Sequence, residues 1–243
     1  EAKYYRSRFP EFARCARRIL TVSDFSRNDI VSQFDVPPGK IDVVSNAPAS
    51  DYTPIDSNEL RMMQRKLLTA GPSYFVFVGS LHPRKNIKGL LDAFCAYRRI
   101  GGKNDLVIVG ESMWSEEMRS QPGVHFCGRM ERKALATAVA SSEGLIFIPW
   151  FEGFGVPIVE AFASGVPVIA SNRTSMPEVC GGAAAALVEP DDIEGIASQM
   201  KRLDADVAFR DAAIQRGLQR AQAFSWEESA AQMWRCVQQV LES

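Results

Sequence analysis

The feature that most constrains this chain is a rhythm that sets in at Tyr74. Short, continuous apolar runs, most of them ended by glycine or proline, alternate with stretches whose apolar residues recur at helical spacing. The runs are residues 74–79 (YFVFVG), 106–110 (LVIVG), 124–128 (VHFCG), 145–149 (LIFIP) and 166–170 (VPVIA), with 186–188 as a short sixth. Between the first two, residues 86–100 place Ile87, Leu90, Leu91, Phe94 and Tyr97 on one helical face. Residues 131–141 and 157–164 are expected to be helices as well. Strands that alternate with helices are joined by crossovers and lie parallel. Runs that are apolar throughout belong to strands covered on both faces. The expected fold class is α/β, a Rossmann-like parallel sheet flanked by helices and followed by a helical tail.

That tail begins after Pro190, with helices expected over 191–203, 206–223 and 225–241. Asp191 and Ser225 are placed to cap the first and third. The segment before residue 50 has a different texture: a helix, a strand at 19–22, a helix opened by Ser23 or Asp24, and a strand at 41–44. Residues 46–73, rich in Pro, Ser and Asp, read as a linker around one amphipathic stretch. The 243 residues suffice to bury a core without disulfide or metal staples. The first residue is not Met and a helix starts at once, so the sequence reads as a piece of a longer protein.

Charge and cysteine usage narrow the function classes. A formal net charge of −1 provides no global field toward nucleic acid or an anionic membrane. The basic start is the local exception, with Lys3, Arg6, Arg8, Arg14, Arg17 and Arg18 against Glu1 and Glu11. A solvated helix face accounts for it, and peripheral contact with a membrane surface stays open. Cys15, Cys95, Cys127, Cys180 and Cys236 are scattered with no CxxC pair, which suits reduced thiols and a cytoplasmic setting. His82 and His125 have no neighbours at metal-cage spacing, and no apolar run approaches the ~20 residues of a membrane helix. His125 reads as a packed core residue. His82 either touches a phosphate or lines its turn.

Open parallel sheets bind ligands at the carboxyl ends of their strands, which singles out two segments. The first, Gly79-Ser80-Leu81-His82-Pro83-Arg84-Lys85-Asn86, runs from a strand end into a helix that Asn86 is suited to cap. Two cations beside a helix entry suit a pyrophosphate, although a solvated basic turn would have the same residues. The second runs from Pro149 to Ala161 and contains Glu152-Gly153-Phe154-Gly155-Val156-Pro157 and Glu160. Proline fits a first helical turn, and glycines free the preceding amides to face an anion. Glu160 falls near the end of that turn, where complementing the helix dipole would explain it equally well.

Read whole, the string resembles glycosyltransferase family 4 of the GT-B class. Glu152 and Glu160, eight apart, match that family's Glu-x7-Glu signature around Gly-Phe-Gly-x-Pro. Residues 161–172, Met176-Pro177-Glu178-Val179, Glu189-Pro190-Asp191 and Phe224-Ser225-Trp226 follow in the family's order. The likeness covers nearly all of 72–243, and residues 12–48 resemble the end of the family's N-terminal domain. Asn46-Ala47-Pro48 departs from a usual Asn-Gly pair. Ser80 stands where some members have an arginine that meets the phosphates, which leaves Arg84 to take that place.

The resemblance implies a division into four parts: a remnant of the N-terminal acceptor domain (1–50), a linker (51–71), a nucleotide-sugar-binding domain (72–223) and a crossover helix (224–243). It implies transfer of a hexose, mannosyl or glucosyl, from a nucleoside-diphosphate sugar to an acceptor hydroxyl with retention of configuration. GDP-mannose or a UDP-hexose is the expected donor. A carbohydrate or glycolipid in polysaccharide biosynthesis is the expected acceptor, and no cofactor or metal is needed. In that scheme Lys85 and Arg84 balance the diphosphate beside Gly79 and Ser80. The Gly153, Phe154, Gly155 and Val156 turn meets the phosphates or the sugar. Glu152 orients the sugar, Glu160 accepts the ribose hydroxyls, and backbone at Gly128, Arg129 and Met130 supports the base. The final helix resembles one that crosses back to the N-terminal domain, so this chain alone is expected to bind donor and transfer little. A GT-B phosphorylase or epimerase, and a non-catalytic nucleotide-binding or interaction module, remain alternatives.

Overall fold

The computed structural model describes residues 2–111 and 121–242, with side chains from Ser7 onward. The side chains of Lys3 and Arg6, part of the basic start, lie outside that set. Helix α1 (Ala2–Cys15) leads into strand β1 (Ile19–Thr21), helix α2 (Asp24–Phe34) and strand β2 (Ile41–Val43). The two strands pair in parallel, Ile19 opposite Ile41. Ser23 caps α2 by accepting the Ser26 amide. A small apolar cluster of Ala13, Val36 and Ile41 holds this unit together, separate from the main core.

The expected linker contains helix α3 (Asn58–Thr69), capped by Ser57 and followed by Ala70 in the left-handed conformation. Not all of the linker is peripheral: Tyr52 is only 4% exposed and joins the main core.

The rhythm from Tyr74 onward becomes strands β3 (Tyr74–Val78), β4 (Asp105–Val109), β5 (Val124–Phe126), β6 (Gly144–Phe147), β7 (Val168–Ser171) and β8 (Ala186–Val188). They form one parallel sheet in the order β5-β4-β3-β6-β7-β8. From β3 the chain winds outward to β5, then returns across the sheet to start β6 on the other side. The strand order therefore reverses between β3 and β6, which is where an open sheet leaves a crevice at its carboxyl end. Both segments singled out by sequence leave the sheet there.

Helices cover both faces of the sheet. They are α4 (Ile87–Arg99), α5 (Arg132–Ala140), α6 (Val156–Ala163), α7 (Met176–Cys180), α8 (Ile193–Ala205), α9 (Val207–Ala221) and α10 (Trp226–Glu242). Helix α4 packs mainly on α8, and α6 on α9. Beneath the crevice Phe77 of β3 and Phe147 of β6 stack with ring centroids 6.0 Å apart. Both are fully buried, each contributing roughly 1.5–3 kcal/mol by leaving water.

Three local expectations change. The cap of α8 is Asp192, which accepts the Gly195 amide, rather than Asp191. Asn86 stands at the start of α4 but makes no cap. Its backbone is left-handed (φ 58°), and its side chain donates to the Ile148 and Pro190 carbonyls at 3.2 and 2.8 Å. His125 is half-buried rather than packed in the core. Its Nε2 lies 2.8 Å from Asp105 Oδ2, a partner supplied by the neighbouring strand at the end of the sheet away from the crevice.

Candidate functional site

After β3 the chain turns through Gly79 and Ser80 into a 3-10 turn, Pro83–Lys85, before α4 begins. His82 lines this turn, its Nδ1 accepting the Arg84 amide at 3.2 Å. The turn sends Lys85 inward. Its side chain is only 8% exposed, and its Nζ lies 4.9 Å from the centre of the Phe147 ring. Burial pushes the Lys85 pKa below the ordinary lysine value, and the neighbouring Glu152 carboxylate offsets part of that shift. Arg84 stays at the surface and reaches the same carboxylate at 2.9 Å, with the Phe151 carbonyl at 3.3 Å. Glu152 Oε2 is thus shared by both cations.

The loop after β6 carries that carboxylate. The Trp150 amide donates to the Arg84 carbonyl at 2.9 Å, which fastens the two crossover loops to each other. Beyond Trp150, each carbonyl of the turn has a partner on the protein. Phe151 O takes Arg84, Glu152 O takes Ser175 Oγ at 2.9 Å, Gly153 O takes Ser23 Oγ at 2.6 Å, and Phe154 O takes Ser175 Oγ at 3.2 Å. The amides differ. Among the described residues the Glu152 amide donates to Thr174 Oγ1 at 3.3 Å, whereas the amides of Gly153, Phe154 and Gly155 carry no intramolecular hydrogen bond. Gly155 makes the turn possible, since its φ of 98° is a conformation that side chains resist. Helix α6 then opens at Val156, with Pro157 in its first turn. Three unpaired amides and a helix N-terminus beside two cations form a cradle for an anion.

Glu160 lies on α6 and does not join the Lys85–Arg84–Glu152 cluster. Burial raises its carboxyl pKa to about 7, and a hydrogen bond from the Tyr52 hydroxyl offsets part of that rise. Tyr52 arrives from the connector, whose Asp51 pairs with Arg132 at the start of α5 at 2.8 Å. The loop after β5 is tied to the end of β4 by the Gly110 amide, which donates to Gly128 O at 2.9 Å. Arg129 is exposed with Glu111 3.9 Å away, and Met130 packs against the core.

Sequence reasoning did not single out Thr174, Ser175, Tyr52, Ser23 or Ser26 as parts of this site. A signal existed for the first two, because they follow the carboxyl end of β7 just as the other turns follow β3 and β6. Thr174 also has a φ of 55°, strained for a β-branched residue by roughly 1–3 kcal/mol. The remaining three come from far away in sequence, Ser23 and Ser26 to the turn and Tyr52 to Glu160.

The family described as Glycosyl transferases group 1 matches residues 72–206, more than half of the chain. The O-antigen chain mannosyltransferase B of Escherichia coli is 33% identical over 95% of this chain and 62% of its own length. The MMP alpha-(1->4)-mannosyltransferase of Mycolicibacterium hassiacum is 30% identical over 90% of this chain and 53% of its own length. The chain therefore spans between half and two thirds of these two relatives. Among solved structures, sucrose-phosphate synthase from Thermosynechococcus elongatus superposes with a TM-score of 0.81 at 23% identity, covering 96% of this chain and 60% of that one. The Anabaena HepE protein in complex with UDP-glucose gives 0.81 at 18% identity, covering 94% of this chain and 65% of that one.

Proposed function

Since the chain belongs to the group 1 glycosyl transferases, we propose that it is the donor-binding part of an enzyme that moves a hexose from a nucleoside-diphosphate sugar to an acceptor hydroxyl with retention of configuration. The observation that carries this reading is the cradle between β3 and β6. There, two cations meet Glu152 beside a turn with three unpaired amides, at the point where an α/β sheet takes its ligand. The charge that develops during such a transfer appears on the departing diphosphate, which is where fixed cations and amide dipoles lower the barrier most. Lys85 and Arg84 supply that charge in this reading, with no divalent ion assigned to it.

Glu152 then has two states. Without donor it neutralises Lys85 and Arg84, which would otherwise face each other across a half-buried space. A bound diphosphate takes over the cations, and the carboxylate is released toward the sugar hydroxyls. Glu160 accepts the ribose hydroxyls, and the loop of Gly128, Arg129 and Met130 underlies the base. The mannosyltransferase relatives favour mannose as the sugar; in this reading the donor is its sugar nucleotide and the acceptor a carbohydrate or glycolipid.

A thermal-shift panel of UDP, GDP, ADP and dTDP, run on this chain and on Glu160→Ala, tests the reading. A ligand at 100 times its dissociation constant adds about 2.7 kcal/mol to stability. For a domain of this size that is a rise in Tm of about 5–10 °C. One diphosphate is expected to give this rise in the wild type and little in Glu160→Ala. If none of the four moves the transition, the donor reading is wrong.

A further inference from the structure

The donor turn is fastened from the far end of the chain. Ser23, the cap of α2, and Ser26 in its first turn both reach the Gly153 carbonyl, at 2.6 and 3.2 Å. Gly153 itself allows the approach, since a Cβ there would lie 3.3 Å from Ser26 Oγ. Helix α2 is held in place by Glu178 of α7. One carboxylate oxygen accepts the Asp24 amide at 2.8 Å and the other the Phe25 amide at 3.0 Å. An anion at that position also meets the positive end of the α2 dipole. On the outer side, the Phe25 ring packs edge-on against Phe151 at 5.7 Å.

The peptide plane turns this clamp into a statement about the cradle. In a trans peptide, the carbonyl of one residue and the amide of the next point in opposite directions. Fixing Gly153 O on the α2 side therefore aims the Phe154 amide away from α2, and that amide is one of the three left unpaired. The Ser175 contacts with Glu152 O and Phe154 O act in the same way on the amides of Gly153 and Gly155.

We propose that Glu178, together with Ser23 and Ser26, positions the donor turn: the N-terminal segment, clamped by Glu178, sets the direction of the Phe154 amide and so tunes the site for a nucleoside diphosphate. The proposal rests on the donor reading above for its ligand, though not for its geometry. Donor affinity then depends on how α2 is seated, which couples the two parts of the chain.

The test compares wild type, Glu178→Gln, Ser26→Ala and a control, Ser57→Ala, which removes the equivalent cap from α3 away from the site. Calorimetric titration reads affinity for the nucleoside diphosphate, and amide hydrogen exchange reads the turn directly. Glu178→Gln loses one of two hydrogen bonds to a charged group, so affinity is expected to fall about tenfold. Exchange at the Ile158 amide, which donates to the Gly155 carbonyl of the turn at 2.9 Å, is expected to quicken, with Ser26→Ala changing both in the same direction and Ser57→Ala changing neither. Affinity within about twofold of wild type and unchanged exchange at Ile158 in both site variants would overturn the proposal. So would an equal response in Ser57→Ala, which would make the effect one of general stability. If the wild type binds no nucleoside diphosphate, the donor reading fails, and the exchange data alone decide whether Glu178 orients the turn.

Discussion

At the residue scale the site is governed by burial of charge. Lys85 and Glu152 are each largely withdrawn from water, and neither is tolerable there without the other. Each therefore has a structural duty besides any role toward ligand. Glu160 shows the other outcome of burial. Buried and hydrogen-bonded by the Tyr52 hydroxyl, its carboxyl stays protonated up to about pH 7. A folded-state pKa above the unfolded one means that the native chain binds more protons, so stability is full below about pH 4 and declines as pH rises toward 7. A shift of this size corresponds to about 3–4 kcal/mol in total, of which about 2–3 kcal/mol falls between pH 5 and 7.5. Urea denaturation of the wild type between pH 5 and 7.5 is expected to show this decline. Glu160→Gln, which mimics the protonated form, is expected to flatten it by about that amount. Parallel pH profiles for the two proteins would rule out the buried carboxyl as the source.

At the element scale, the turn into α6 decides the geometry of the cradle, and Gly155 decides the turn. Its φ of 98° lies where a side chain is strained, and an added Cβ would come within 2.8 Å of the Met176 Cε. The methionine can swing aside, whereas the backbone cannot. Gly155→Ala is expected to destabilise the chain by about 1–3 kcal/mol. Gly39→Ala, where a Cβ meets nothing within 4 Å and the backbone is unstrained, is expected to be near neutral. Comparison of the two melting temperatures checks this, and equal effects would remove Gly155 from its assigned role. Asn86 gives the matching lesson for α4. Its residue type suits a cap, but two unpaired carbonyls, on the loops after β6 and β8, claim its amide instead.

At the scale of the whole molecule, the sheet and its site are well packed while the flanking unit is not. Helix α10 reaches the N-terminal segment through Trp226 Nε1 on the Pro48 carbonyl (3.1 Å) and Ser229 Oγ on the Ser45 carbonyl (2.7 Å). Its apolar face of Met233, Trp234, Val237 and Leu241 stays exposed. An apolar groove of about 270 Å³ opens beside it, lined by Leu20, Val22, Val44, Trp226 and Met233 among others. The relatives are longer than these 243 residues, and the proposed reading of this chain as the donor-binding part leaves acceptor contacts to be supplied elsewhere. This chain is therefore expected to bind donor without sustained transfer. A continuous assay for nucleoside-diphosphate release with sugar nucleotide and acceptor should show less than one turnover per chain. Multiple turnovers would mean that the acceptor site is already present.

Much of this was legible in the sequence because its signals are local. Apolar periodicity belongs to single elements, so the strands, the parallel sheet and the helical tail follow from windows of five to fifteen residues. The rule that ligands sit at strand ends then selects the segments of Arg84, Lys85 and Glu152 without knowledge of any contact. Tertiary structure alone decided which groups meet there. The cations are neutralised by Glu152, 67 or 68 positions away. The Gly153 carbonyl is held by Ser23, 130 positions away, and α2 by Glu178, more than 150 away. A hydrogen bond leaves no periodicity in the chain that makes it. Its partner is whichever group the strand order brings to the same crevice, and strand order is a property of the packed sheet as a whole.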